Sequence, residues 1–294
     1  MIVYLLIAVI AICWGAGAAM QKQGMASEFP RLSLGTLVKD FRKILGALVA
    51  NKAWVGGMLV MGAGGGVFAY TTSIGDISVI QPLTNVSGVV AVLVGVLVLK
   101  ERLRGMELVG IVLLIGGAMT IGFSTETMTS TVFNEGMLKG MTVVTAAVIA
   151  VAFALFGIFG KSGGERGGLV MAFTAGVTFG LTNLFVKVVT EASKGGGEVM
   201  RVDGAAILDL LTSYPLYILL VALVLGMVAF QLACANSRIA VVQPVTTVFS
   251  NVLPVAGGWL VFGESMNAGK LAGTAIILAG TVLLAAGEPA GEVP

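Results

Sequence analysis

Nine separate runs of this 294-residue chain are apolar over the length that a helix needs to cross a bilayer, and little chain is left between them. They fall at about 2–21, 54–74, 77–99, 107–123, 138–160, 168–189, 214–235, 239–262 and 269–287. Hydrocarbon offers no partner to a free backbone amide, so segments of this length must satisfy themselves, and helices do that. A hydrophobic share of 57 % against 11 % charged residues suits such a bundle, as do 42 glycines. Apolar side chains face lipid, and small residues sit where helices touch. The sequence predicts an all-α polytopic membrane protein with about nine transmembrane helices, and it excludes a soluble enzyme. The first run begins at Ile2 with no basic segment ahead of it, so it reads as a span and not as a cleaved leader.

Side-chain chemistry narrows the function. Histidine is absent, which removes histidine metal sites, catalytic triads and histidine proton relays. Cys13 and Cys234 lie inside apolar runs and read as packing residues. No nucleophile, metal cluster or carboxylate pair lies within a span, so the chain is expected not to be an enzyme, and no cofactor is implied. Twelve of the 17 lysines and arginines follow odd-numbered spans. The positive-inside rule then places the N-terminus outside and the C-terminus in the cytoplasm, in the cell membrane. Between spans one and two, Leu34, Leu37, Val38, Phe41, Ile44, Leu45, Leu48 and Val49 recur at helical spacing, opposite Lys39, Asp40, Arg42 and Lys43. That pattern predicts an amphipathic helix in the interface. Pro254 is expected to kink or break span eight.

The chain repeats itself. Phe68-Ala69 through Val79-Ile80-Gln81-Pro82 matches Phe230-Gln231 through Val241-Val242-Gln243-Pro244 at an offset of 162. Glu101 matches Glu264, Gly110 matches Gly273 and Gly117 matches Gly280 at 163; Trp14, Gly15 and Lys22 match Phe179, Gly180 and Lys187 at 165. Spans one to four therefore correspond to spans six to nine. An odd shift of five spans inverts one half relative to the other, which is a transporter architecture with the solute near the midplane. The expected units are 1–124, a linking span in 125–166, and 167–294, an inverted repeat of four plus four helices around a central helix.

Gln81-Pro82-Leu83 with Lys100-Glu101-Arg102, and Val242-Gln243-Pro244 with Gly263-Glu264-Ser265, resemble the paired signatures of the drug/metabolite transporter superfamily, with EamA-type repeats. Within it, nine spans, Trp54-x-Gly56-Gly57, Phe68-Ala69-Tyr70 and Gln231 with Asn236 are similar to the NIPA-type magnesium transporters. That family's second span usually carries an acidic residue and an asparagine, and Gly62–Val67 has neither. The resemblance implies a membrane transporter.

Polar side chains inside spans are expensive and face the bundle interior or a wet path. Span three offers Gln81, Thr84, Asn85 and Ser87; span eight offers Gln243, Thr246, Thr247, Ser250 and Asn251. Span six adds Thr178, Thr182 and Asn183, and span seven adds Gln231 and Asn236. Together with Trp14 as a pocket wall, these form the candidate solute site; the competing role is interhelical hydrogen bonding. Pro82 and Pro244 fit the first turn of a helix, which puts their glutamines at opposite mouths. Lys22 and Lys187 lie near span ends and are expected either to snorkel to the interface or to gate the path or contact an anion. Glu101 and Glu264 are expected to receive amides from the start of the following helix. The glycine clusters 62–66 and 116–117 and the pair Gly176 and Gly180 predict close helix contacts. The expected activity is transport of a small polar solute by alternating access, with a metabolite such as an amino acid ranked above magnesium; a structural or channel-like bundle is the third reading. The implied partners are the solute or ion and the lipid bilayer, with a homodimer left open and no nucleic acid.

Overall fold

A computed structural model describes residues 2–25, 46, 49–90, 93, 105–124, 133–159, 164–194, 203–237 and 239–287. The elements it describes are α-helices: α1 (Ile2–Met25), α2 (Lys52–Ile74), α3 (Ile77–Thr84), α4 (Gly105–Ser124), α5 (Glu135–Phe159), α6 (Gly164–Ser193), α7 (Gly204–Thr212), α8 (Tyr214–Asn236), α9 (Ile239–Leu260) and α10 (Ala268–Gly287). Four segments are long and apolar enough to cross a membrane: Lys52–Ile74, Gly105–Ser124, Glu135–Phe156 and Arg166–Ser193. Five shorter apolar segments fall on the other expected spans. The interfacial helix expected over 34–49 lies almost wholly outside the described residues.

Helix α1 packs along α2, α6 along α8 and α9, and α4 along α10, while α3 lies against α9 and also touches α1, α6 and α10. Glycine decides how close these pairs come. A Cβ at Gly110 would lie 2.8 Å from the Gly280 carbonyl oxygen, and one at Gly117 would lie 2.8 Å from that of Gly273. Contact advances along α4 as it retreats along α10, so the two helices run antiparallel. The 163-residue offset exchanges these two contacts with each other. A second pair of contacts sits at matching sequence offsets: Trp14 packs on Gly64 and Phe68, and Phe179 packs on Gly226 and Phe230. Gly176 and Gly180 meet the backbone of α9 at Thr246 and Ser250, the expected close contact.

Several expectations change. Among the clustered glycines only Gly64 and Gly117 sit where a Cβ would collide; Gly62, Gly65, Gly66 and Gly116 face open space. Helix α9 continues through Pro254 to Leu260 and is not broken there. Pro82 is the sixth residue of α3 and lies inside it, not in its first turn. Span three is not one uninterrupted helix. After Thr84 the amides of Asn85, Val86, Gly88 and Val89 donate to carbonyls three residues back, so the backbone tightens through a 3₁₀ stretch. Pro82 lacks only the amide that would reach the Ser78 carbonyl, upstream of this stretch, so it does not account for the change after Thr84. Helix α7 has no counterpart among the expected spans; Ala205–Leu211 is apolar except for Asp209 and too short to span.

Candidate functional site

The site lies where α3 meets α9. Gln81 and Asn85 are four residues apart, so they share a face of the α3 segment, and Ser78 stands one turn before Gln81 on the same side. The Asn85 side-chain amide donates to Asn251 Oδ1 at 3.3 Å, and Asn251 Nδ2 donates to the Thr247 carbonyl at 2.7 Å. This is a direct polar contact between spans three and eight, deep in both. Asn251 is buried and Asn85 half-buried. Ser78 Oγ and Gln81 Oε1 are buried acceptors with no partner within the described chain. A buried acceptor left unmatched costs about 1–3 kcal/mol. Neutral oxygens and one amide thus gather on one helix face, able to take donors from a polar solute or from water around an ion.

Other expected site residues are engaged elsewhere. The hydroxyls of Thr84, Thr178, Thr182 and Ser250 donate to carbonyls of their own helices. Thr246 donates across to the Ala172 carbonyl at 3.2 Å, acting as a bond between α9 and α6. Asn236 donates to the Leu232 carbonyl at 2.8 Å. Trp14 packs against Phe68, ring centroids 5.4 Å apart, within an apolar cluster. None of the described contacts brings Asn183, Asn236 or Trp14 into the Asn85–Asn251 group. The side chains of Lys22, Gln231, Gln243 and Pro244, and all of Glu101, lie outside the described residues. A groove of about 440 Å³ between α5 and α6 is lined by Ala147, Val148, Val151, Ala152, Leu155, Val170 and Phe173; none of the site's polar residues lines it.

Glu264 and Lys187 hold the larger surprise. Glu264 does receive two backbone amides at a helix start, but the helix is α3, whose Ile77 lies 187 residues earlier in the chain, and not the one that follows. Its Oε1 accepts from Ile77 N and its Oε2 from Ser78 N, both at 2.9 Å. Gly263 has φ 64°, a left-handed turn open to glycine, which lets the chain reverse and aim the carboxylate back; Gly258 leaves the space it enters. Lys187 does not snorkel. Helix α6 runs on to Ser193, so Lys187 sits about 9 Å short of its end. There it is 1 % exposed, ion-paired with Glu264, donating to the Gly75 carbonyl at 3.0 Å and lying 4.8 Å from the Phe262 ring centroid. A second buried pair, missed in the sequence, joins Lys270 to Asp76 at 3.3 Å.

A family model, magnesium transporter NIPA, matches residues 41–288, most of the chain. The chain belongs to the NIPA magnesium transporter family. As a member it is an integral membrane transporter, in line with the EamA-like superfamily signatures and the apolar helices. Among curated proteins and among solved structures nothing matches. In this NIPA-family chain no group of three or more His, Cys, Asp or Glu side chains that could hold a metal ion occurs among the described residues.

Proposed function

We propose that the chain carries a divalent cation of the magnesium class, with most of its water retained, through the α3–α9 contact by alternating access of the halves 1–124 and 167–294, linked by 125–166. Family membership favours the ion over the amino acid that the residues alone rank first. The observation that carries the site is the Asn85–Asn251 contact beside the unmatched Gln81 oxygen. Magnesium dehydrates reluctantly and keeps several waters, so amide oxygens that accept from those waters suit it where a carboxylate cage would hold it too tightly. The exchanged glycine contacts of α4 and α10 support the inverted arrangement; with nine crossings, the excess of Lys and Arg after odd-numbered spans gives an external N-terminus and a cytoplasmic C-terminus in the cell membrane.

A neutral or zwitterionic metabolite is the second reading, favoured by the same uncharged set of donors and acceptors. Flux into proteoliposomes decides between them. Saturable magnesium uptake, reported by a trapped fluorescent indicator and absent from empty vesicles, is expected. Uptake of labelled amino acids without magnesium uptake establishes the second reading, and uptake of neither refutes both.

A further inference from the structure

Four consecutive residues of the first repeat, Gly75 to Ser78, are gripped by three charged side chains of the second. Lys187 donates to the Gly75 carbonyl at 3.0 Å; Lys270 pairs with the Asp76 carboxylate at 3.3 Å; Glu264 accepts from Ile77 and Ser78 N–H at 2.9 Å each. Lys187, Glu264 and Lys270 are 1 %, 3 % and 1 % exposed. Buried charges of this kind are tolerated only when they are paired and hydrogen-bonded, and each of the three has both an opposite charge and a further hydrogen bond. Lys270 has further support from the Ser265 carbonyl at 2.7 Å. The grip sits at one end of the bundle, where α2, α6 and α9 finish and α3 and α10 begin. Asn85 lies nine residues past Asp76, about 13 Å further in at 1.5 Å per residue. That is close to half of a hydrocarbon layer about 30 Å thick.

We propose that this clasp is the gate of the path at that end, and that it opens by releasing Gly75–Ser78 from the second repeat. The proposal rests on the transport reading and adds how the path is shut. The division of charge tells which contacts part. Lys187 and Glu264 both belong to the second repeat, so on release they keep each other neutral and neither charge is stranded. Asp76 and Lys270 belong to opposite repeats, so theirs is the ion pair that breaks. Asp76 is well placed for this, its side chain being 11 % exposed against 1 % for Lys270. The 3₁₀ stretch at Asn85–Val86 supplies slack in the released element, as short 3₁₀ segments inside helices do at hinges. The sequence holds the same pair with its charges exchanged at the repeat-related positions. Arg238 stands 162 residues after Asp76, and Glu107 stands 163 residues before Lys270.

Accessibility tests the gate without measuring flux, so its failure is distinct from a wrong solute. Cys13 and Cys234 are replaced by alanine and Asn85→Cys is introduced as the reporter. A membrane-impermeant thiol reagent is applied in turn to intact cells and to inside-out vesicles. The gated face is the one from which the exposed reference Ala268→Cys reacts. From that face the reporter is expected to label slowly with the clasp intact and about tenfold faster with Lys270→Met, which strands Asp76 and shifts the population toward the open form. Adding Asp76→Leu to Lys270→Met removes both charges and is expected to return labelling to within about twofold of the intact clasp. If Lys270→Met does not fold, Asp76→Asn, at a less buried site, carries the same expectation. A labelling rate unchanged by the single substitution, or a double variant as fast as the single one, overturns the gate.

Discussion

Gly116 and Gly117 are neighbours with opposite surroundings, and alanine at each measures what the α4–α10 contact is worth. At Gly117 a Cβ would lie 2.8 Å from the Gly273 oxygen and from Ile277 Cγ1, and 2.9 Å from Ile277 N. Ordinary contact starts at 3.4 Å, so the helices must part by 3.4 − 2.8, or about 0.6 Å. A gap of that size forfeits a quarter to a half of each dispersion well of about 0.1–0.2 kcal/mol. Over roughly 25 atom pairs along the contact this amounts to about 1–2 kcal/mol. Alanine's better helix propensity, up to about 1 kcal/mol, offsets part of the loss. At Gly116 nothing lies within 4 Å, so only the gain remains. Gly117→Ala is therefore expected to be about 1–2 kcal/mol less stable than Gly116→Ala in reversible unfolding by steric trapping in bicelles. Gly280→Ala, whose Cβ would meet the Gly110 oxygen at 2.8 Å, should agree with Gly117→Ala to within about 0.5 kcal/mol. Equal stability of the Gly116 and Gly117 variants would refute the contact.

Asn85→Leu keeps volume while removing the donor to Asn251, so magnesium uptake into proteoliposomes should fall at least about tenfold with the protein still monodisperse, whereas Val112→Leu, on an exposed position of α4, should transport normally. Glu264→Ala strands Lys187 and two amides and should destabilise by about 3–5 kcal/mol in the same unfolding assay, while Lys187→Met with Glu264→Gln should lose clearly less than the single change. For topology, cysteines placed near Arg42 and Arg102 should be shielded from an impermeant external thiol reagent and one near Thr129 should react; the opposite pattern would reverse the orientation.

Much of this was legible in advance because the bilayer enforces it. A helix that must cross hydrocarbon writes its length in apolar residues, and the glycines that pack α4 on α10 recur in the sequence at a constant offset. The Gly176–Gly180 contact with α9 follows from that logic. What could not be read is partnership across the repeat. Glu264 precedes α10 in sequence, so α10 was the natural recipient, yet the fold delivers Ile77 and Ser78 to it. Lys187 looked like a lysine at a helix end because the apolar run stops at 189, while α6 continues to Ser193 and buries it. Asp76 and Lys270 carry no expectation of their own in the sequence, since nothing local says that two residues 194 apart will touch. The glycine clusters predict close contact throughout, but a helix turns 100° per residue, so neighbours such as Gly116 and Gly117 cannot share a partner. In the site itself, the hydroxyls of Thr84, Thr178, Thr182 and Ser250 are spent on their own helices, a local competition that sequence spacing does not reveal.

The α4–α10 contact also sets a deadline for biogenesis. Chains emerge and insert from the N-terminus, and α10 is the last helix described here to arrive. Until then the narrow face of α4 that bears Gly110 and Gly117 has only lipid against it, and Asp76 waits for Lys270. The nascent first half therefore dwells in the membrane with a sticky seam that fits a helix not yet made. Every chain already complete nearby carries a helix of that shape. A ribosome that stalls or terminates before residue 268 leaves the seam permanently unfilled, so late truncations should be cleared by membrane quality control although most of the spans are present. Residues 268–287 act as the seal on assembly.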